Sequence, residues 1–170
     1  SLTEDEQWRL PVALVDMSPW LRKATIAVED ERFTDHPGVD FVSIGRASLQ
    51  NLCAGRVVSG ASTLDMQLCR MLNPRPRTLG AKLSEAARAW QADTWLSKEE
   101  ILEAYLNLAP YGGNLQGAEA ASLRYFGKSA EELSLPEAAL LAGIPQSPAR
   151  LRPDRYPEVA EKRRNKVLSR

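Results

Sequence analysis

The stretch Ser18–Asp40, SPWLRKATIAVEDERFTDHPGVD, opens on a helix start and closes just beyond the chain's single histidine. Ser18 can cap, Pro19 fits the first turn, and Leu21, Ile26 and Val28 supply apolar positions. The helix is read through to Phe33, which puts Glu29 at the end of an apolar face with Phe33 four residues on, on the same side. A carboxylate beside an aromatic wall is partly desolvated, which favours its neutral form and raises its pKa toward the range useful to a general base. The same letters also read as a solvated acidic helix end, with Asp30, Glu31 and Arg32 facing water. His36, followed by Pro37 and Gly38, then reads as a turn or packing histidine.

Outward from this stretch helix signals dominate, so the fold class is mainly α. VDFVSIGRASLQNLCAG forms a second helix closed by Gly55, and SGASTLDMQLCRML a third, broken by Pro74 and Pro76. AKLSEAARAWQADTWL gives a fourth. Ser97 with Glu100 makes a capping box before ILEAYLNLA, and Ser134 with Glu137 repeats it before AALLAG. RVVSGAS is the one extended candidate, IPQSPARLRPDRYP is irregular, and EVAEKRRNKVLSR reads as a terminal basic helix.

The 170 residues suit one compact domain with a real core. With 22 basic and 22 acidic residues the net charge is zero, so no global field draws the chain to nucleic acid, and anion binding must be local. Cys53 and Cys69 are too far apart for a CxxC pair and read as buried free thiols, with no metal site. No apolar run approaches the roughly 18 residues of a membrane span, and the first residues carry no signal-peptide pattern.

Two further clusters could carry chemistry. In GASTLDMQLCR, Ser62 or Thr63 can cap a helix whose free N–H groups suit an anion, with Thr63, Gln67 and Arg70 on one face. In RPRTLGAKLSEAAR, the cations Arg75, Arg77, Lys82 and Arg88 surround Glu85, with Lys82 and Glu85 at i, i+3. Each alone also reads as an ordinary capped helix or exposed ion pair. Together with Glu29 they suit a reaction whose leaving group is a phosphate or pyrophosphate, which needs cations rather than a proton donor, plus a base for the attacking hydroxyl.

In order and spacing, EDERFTDHPG, GASTLDMQ, KLSE, KEEILEAYLNLAPYGGNLQGAEAASLRYFGK and LSLPEAALLAGIPQSP resemble the motifs of the family 51 peptidoglycan glycosyltransferases, the glycan-polymerising domains of class A penicillin-binding proteins. The NLAPYGGNLQGAEAAS and PQSPARLRPDRYP segments look most like the C-type branch. The resemblance runs from about Pro19 to the C-terminus. It implies a lysozyme-like helical fold with a small membrane-proximal jaw lobe between the first and third motifs. It also implies polymerisation of lipid II, in which an acceptor GlcNAc 4-hydroxyl attacks C1 of the lipid-linked MurNAc with inversion and undecaprenyl pyrophosphate leaves.

By motif position Glu29 is then the base and Glu85 the second carboxylate, near the pyrophosphate. Asp30, Phe33, His36, Ser62, Thr63 and Gln67 fall at substrate-binding positions, and Arg70, Arg77 and Lys82 at the basic positions that hold pyrophosphate. A divalent cation such as Mg2+ could bridge the same oxygens. The implied partners are lipid II, the growing glycan strand, the membrane surface, a C-terminal transpeptidase domain and cell-wall synthesis proteins, with no nucleic acid. The implied location is the periplasmic face of the inner membrane, and residues 1–170 are expected to be one domain excised from a longer chain. Lipid contact is expected on the second helix, at Phe41, Val42, Ile44 and Leu49. The chain departs from the family at Ala61, at Met66 in place of a glutamine, and at Ala81 where an arginine commonly precedes Lys82. Two other readings fit part of this pattern: a lysozyme-like hydrolase or lytic transglycosylase, which would not need the basic cluster, and a degenerate, non-catalytic scaffold.

Overall fold

The computed structural model describes residues 7–58, 60–76 and 78–170, with the side chain of Leu79 also left aside. Among these residues the fold is mainly α. Its elements in chain order are β1 (Trp8–Arg9), α1 (Pro19–Glu29), α2 (Phe41–Ala54), α3 (Leu64–Leu72), α4 (Leu79–Trp95), α5 (Lys98–Leu108), β2 (Pro110–Gly112), β3 (Leu115–Gln116), α6 (Ala118–Phe126), α7 (Leu135–Gly143) and α8 (Pro157–Leu168). Contacts divide the chain into two units, Ser1–Glu31 with Leu102–Arg170, and Arg32–Ile101. The small lobe expected between the first and third motifs falls inside the second unit, which continues to Ile101.

Local chemistry sets most helix ends. Ser18 Oγ accepts from Trp20 N–H (3.3 Å) and donates to Leu133 O (2.8 Å), so this cap also ties α1 to the segment before α7. Asp40 caps α2 through Ser43 N–H (2.9 Å), and Gly55 ends it in the left-handed region. Between the two capping candidates for α3, Thr63 is the one that accepts, from Met66 N–H (3.2 Å). Thr78 does the same for α4 through Ala81 N–H (3.1 Å). Both expected capping boxes form: Glu100 accepts from Ser97 N–H (2.7 Å), and Glu137 from Ser134 N–H (2.9 Å).

In the first unit α1, α7 and α8 pack through Ala24, Ala139, Ala142 and Val167, with Val28 against them. Leu21, Leu141, Tyr105 and Tyr111 are fully buried. β3 pairs parallel with β1, Trp8 opposite Leu115, and antiparallel with β2. In the second unit Val39, Met66 and Ala89 form a small core joined by Ile44, Cys69 and Ala86. Gly38 has no room for a side chain there: φ is +77°, and a Cβ would stand 2.3 Å from Ala89 O.

Several expectations need correction. α1 ends at Glu29, with Asp30 as its cap residue, rather than running on to Phe33. No strand forms among the described residues of RVVSGAS; the sheet comes from Trp8–Arg9 and the Pro110–Gln116 hairpin. Helix α6 forms over Ala118–Phe126, where the sequence reading places none. Cys53 is exposed and Cys69 half-buried, so neither thiol is fully buried.

Candidate functional site

In the first unit Glu29 is the last residue of α1, half-buried, where the helix dipole gives it no help. Tyr111 of β2 lies close enough to feel its charge, while Phe33 does not share its helix face, because α1 ends at Glu29. Burial drives the Tyr111 hydroxyl's pKa upward, and the Glu29 charge raises it further. That hydroxyl is buried without a hydrogen-bond partner among the described residues. Tyr125 Oη donates to Tyr111 O (2.7 Å), which fixes the strand behind the ring. From α8, Arg163 stands close enough for Glu29 to support its charge, while burial lowers its pKa more strongly. Its Nε donates to Gly143 O (3.4 Å), and a Cβ on Gly143 would lie 2.8 Å from Arg163 Cγ, so this contact requires a glycine. Arg170 donates to the carbonyls of Ala27 (3.4 Å) and Val28 (3.3 Å) in the last turn of α1. The Glu29 charge is thus felt by a buried phenol and by a guanidinium. Sequence patterns gave no warning of Tyr111 or Arg163, since both reach Glu29 only through the fold. Asp30 is buried beside it, its N–H donating to Ile26 O (2.9 Å).

The other candidates belong to the second unit. Phe33 is buried in the turn after α1, with Lys98 Nζ 4.7 Å from its ring centroid. His36 is buried in the same turn. Within this unit a ring nitrogen of His36 and a carboxylate oxygen of Asp65 lie within 4.8 Å. One nitrogen and one oxygen are not the all-oxygen set that magnesium takes.

Lys82, Glu85 and Ser62 come together. Lys82 Nζ donates to Ser62 Oγ (2.5 Å) and pairs with Glu85 Oε2 (3.3 Å). This is more than a helical i, i+3 pair, because Ser62 precedes α3 and Lys82 sits on α4. Arg75 donates to Ser84 Oγ on α4 (3.3 Å). Gln67 and Arg70 are half-buried on α3. Thr63 does not share their face as a free hydroxyl: its Oγ1 donates to Gly38 O (2.6 Å) while accepting from Met66 N–H, so its proton is committed. Arg77 lies outside the described residues. Met66, where the family has a glutamine, is buried in the Val39–Ala89 core. Burial raises the pKa of Cys69, and Asp65 adds to the effect, which leaves this thiol a poor nucleophile.

Exposed apolar side chains gather on α2. Phe41 is 66% exposed, Val42 61%, Leu49 64% and Leu52 79%. Ile44, expected on the same lipid-facing surface, packs instead against the Val39–Met66–Ala89 core. No helix among the described residues is long and apolar enough to cross a membrane.

Known proteins share this pattern along the whole chain. The transglycosylase family model matches residues 1–170. Penicillin-binding protein 1C of Escherichia coli is 55% identical over 166 residues, covering 98% of this chain and 22% of that protein. Penicillin-binding protein 1A of Aquifex aeolicus is 44% identical, with 96% and 23% covered. The crystal structure of penicillin-binding protein 1A from Haemophilus influenzae superposes with a TM-score of 0.55 at 28% identity, covering 96% of this chain and 15% of that one. The chain thus spans about a fifth of the length of these curated relatives. On the strength of a match that leaves no part of it out, the chain belongs to the transglycosylase family of peptidoglycan glycosyltransferases.

Proposed function

We propose that this domain polymerises lipid II into glycan strands. The observation that carries the reading is the Ser62–Lys82–Glu85 assembly, in which an ammonium is fixed between a hydroxyl and a half-buried carboxylate. Such a cation suits an anionic leaving group and has no task in a hydrolase that must protonate a neutral sugar. In the reaction, Glu29 takes the proton of the acceptor GlcNAc 4-hydroxyl as its oxygen bonds to MurNAc C1. The C1–O bond to undecaprenyl pyrophosphate breaks with inversion, and Lys82, Arg70 and Arg77 stabilise the departing charge. Glu85 holds Lys82 in place on that side. Asp30, Phe33, His36, Ser62, Thr63 and Gln67 serve substrate binding. The buried positions of Phe33 and Thr63 support shaping roles for these two rather than direct contact. A divalent cation such as Mg2+ would supply further positive charge for the leaving pyrophosphate.

The apolar face of α2 would rest in the outer leaflet of the inner membrane, bringing the head group of a polyprenyl substrate within reach from the periplasmic side. In the longer parent, the domain would work beside a membrane anchor and a C-terminal transpeptidase domain. One pair of assays tests the reading. Purified lipid II in detergent should be lengthened into glycan with release of undecaprenyl pyrophosphate, slowed by chelator if the cation is needed. Intact peptidoglycan should release no soluble muropeptides. The reverse pair of results would make the domain a cell-wall hydrolase, and failure in both would make it a scaffold.

A further inference from the structure

Lys98 opens α5, yet its side chain is turned inward and is only 23% exposed. Its ammonium lies 3.5 Å from Asp65 Oδ1 in the first turn of α3, pairs with Asp93 Oδ1 near the end of α4, and faces the Phe33 ring at 4.7 Å. One cation thus touches three separate segments of the second unit. Each of them carries a candidate site residue. Asp65 is the unusual partner. Its side chain has 0% exposure, and its Oδ2 has no hydrogen-bond partner among the described residues. Burial raises its pKa, opposed first by Lys98 and more weakly by His36, while Asp93 adds to the rise. Two carboxylates sharing one ammonium, one of them half-satisfied, is a poor way to glue helices together. A buried ion pair is weak evidence for stability, and an apolar pair of the same volume often serves as well or better. Directional contacts of this kind are better suited to fixing a helix in one register.

We propose that Lys98 is a positioning residue: by bridging Asp65 and Asp93 against Phe33, it holds α3 in the register at which Gln67 and Arg70 meet the substrate. Asp65 lies two residues before Gln67 and five before Arg70, so a slide or rotation of the first turn of α3 displaces both. The catalytic part of this proposal rests on the polymerase reading; the mechanical part does not.

The test uses the intact domain and three readouts: amide hydrogen exchange along α3, kcat and KM with lipid II, and thermal unfolding. Lys98→Met should raise exchange at the Gln67 to Arg70 amides and lower kcat/KM by about 10- to 100-fold, the range in which small misplacements of binding groups act. Lys98→Arg should restore both, because a guanidinium can also bridge two carboxylates. The double variant Lys98→Met with Asp65→Asn removes the stranded charge. It should recover thermal stability while α3 stays loose and turnover stays low. Unchanged exchange in Lys98→Met, or full turnover in the double variant, would overturn the proposal. Should Lys98→Met not fold, Asp93→Asn weakens the bridge with Asp65 still paired, and it must loosen α3 in the same direction for the proposal to stand. A wild-type domain that lengthens no glycan would end the polymerase reading alone, since the exchange comparison still decides whether Lys98 holds α3.

Discussion

Helices α7 and α2 are both rich in apolar residues, and the fold treats them in opposite ways. In α7 Ala138, Ala139, Leu141, Ala142 and Gly143 are all buried, because α1 and α8 close over it. In α2 only Ala47 is buried, and Phe41, Val42, Leu49 and Leu52 stand outside. Helix α7 therefore spends most of its apolar surface on the core, and α2 leaves an apolar stripe uncovered. Exposed contiguous apolar surface of this kind marks an interaction site rather than a folding defect. The contrast separates a helix that completes a core from one that keeps an apolar face open to a partner, which on the proposed function would be lipid.

The largest expected effect asks whether both parts are needed for chemistry. Glu29→Gln in the first unit should lose about 10²- to 10⁴-fold in polymerisation with the fold intact, the usual worth of a general base. Glu85→Gln in the second should also damage turnover, through the leaving-group side. Rates measured on lipid II check both, and a normal rate in either variant would confine the chemistry to one unit.

Next comes stability. Leu141→Ala should destabilise by about 2–5 kcal/mol, as for other fully buried leucines. Leu52→Ala on α2 should stay within about 0.5 kcal/mol, as surface changes do. Denaturant unfolding of the two variants measures the difference directly, and equal losses would mean that α2 is core after all. A smaller effect concerns lipid. Phe41→Ser with Val42→Ser should weaken sedimentation with phospholipid vesicles about tenfold or more, since burying each such side chain is worth about 1.5–3 kcal/mol. The unfolding temperature should hardly move.

The smallest effect is a pH contrast between α7 and α3. Glu137 is partly desolvated, but hydrogen bonds from Lys128 and Ser134 outweigh this and hold its pKa below the ordinary 4.5. Its contribution is therefore present above that value and is lost as pH falls through the lowered pKa. Asp65 runs the other way. Burial raises its pKa above 3.8, so its contribution is full below 3.8 and is lost as pH rises through the raised value. On acidification below about pH 5, amide protection in α7 should decline, after correction for intrinsic exchange. Glu137→Gln should flatten that response, and an α7 that keeps its protection in the wild type would remove the prediction.

Much of the helix scaffold could be read from neighbouring letters, because caps are local chemistry. Ser18, Gly55 and the boxes at Ser97 and Ser134 each satisfy backbone groups within a few residues, and each signal was visible in place. The end of α1 was not: nothing within four residues of Glu29 says that Phe33 will leave the helix to meet Lys98. The strands were missed because two- and three-residue pieces carry no alternation to detect. Ile44 and Phe41 look alike on a helical wheel, and only the packing of Val39, Met66 and Ala89 decides which of them turns inward. Among the candidate site residues, the carboxylates and cations can be named from the sequence only as residue types at motif positions. Their surroundings, Tyr111 and Arg163 within reach of the Glu29 charge and Ser62 bonded to Lys82, come from distant parts of the chain and are set by tertiary contacts alone.

The division of the chain also bears on the order in which its parts can form. The second unit is one uninterrupted run, Arg32–Ile101, whereas the first is assembled from both ends of the sequence. Its helix α1 is made early but packs on α7 and α8, which are made last. Closing so long a loop carries an entropic penalty before any contact rewards it, so segments of this kind form slowly. A chain emerging from its N-terminus should therefore complete α2, α3 and α4 while α1 still waits with its apolar face bare. Glu29, at the end of that waiting helix, would be among the last residues to find its surroundings, and any chemistry it performs would have to wait for α8.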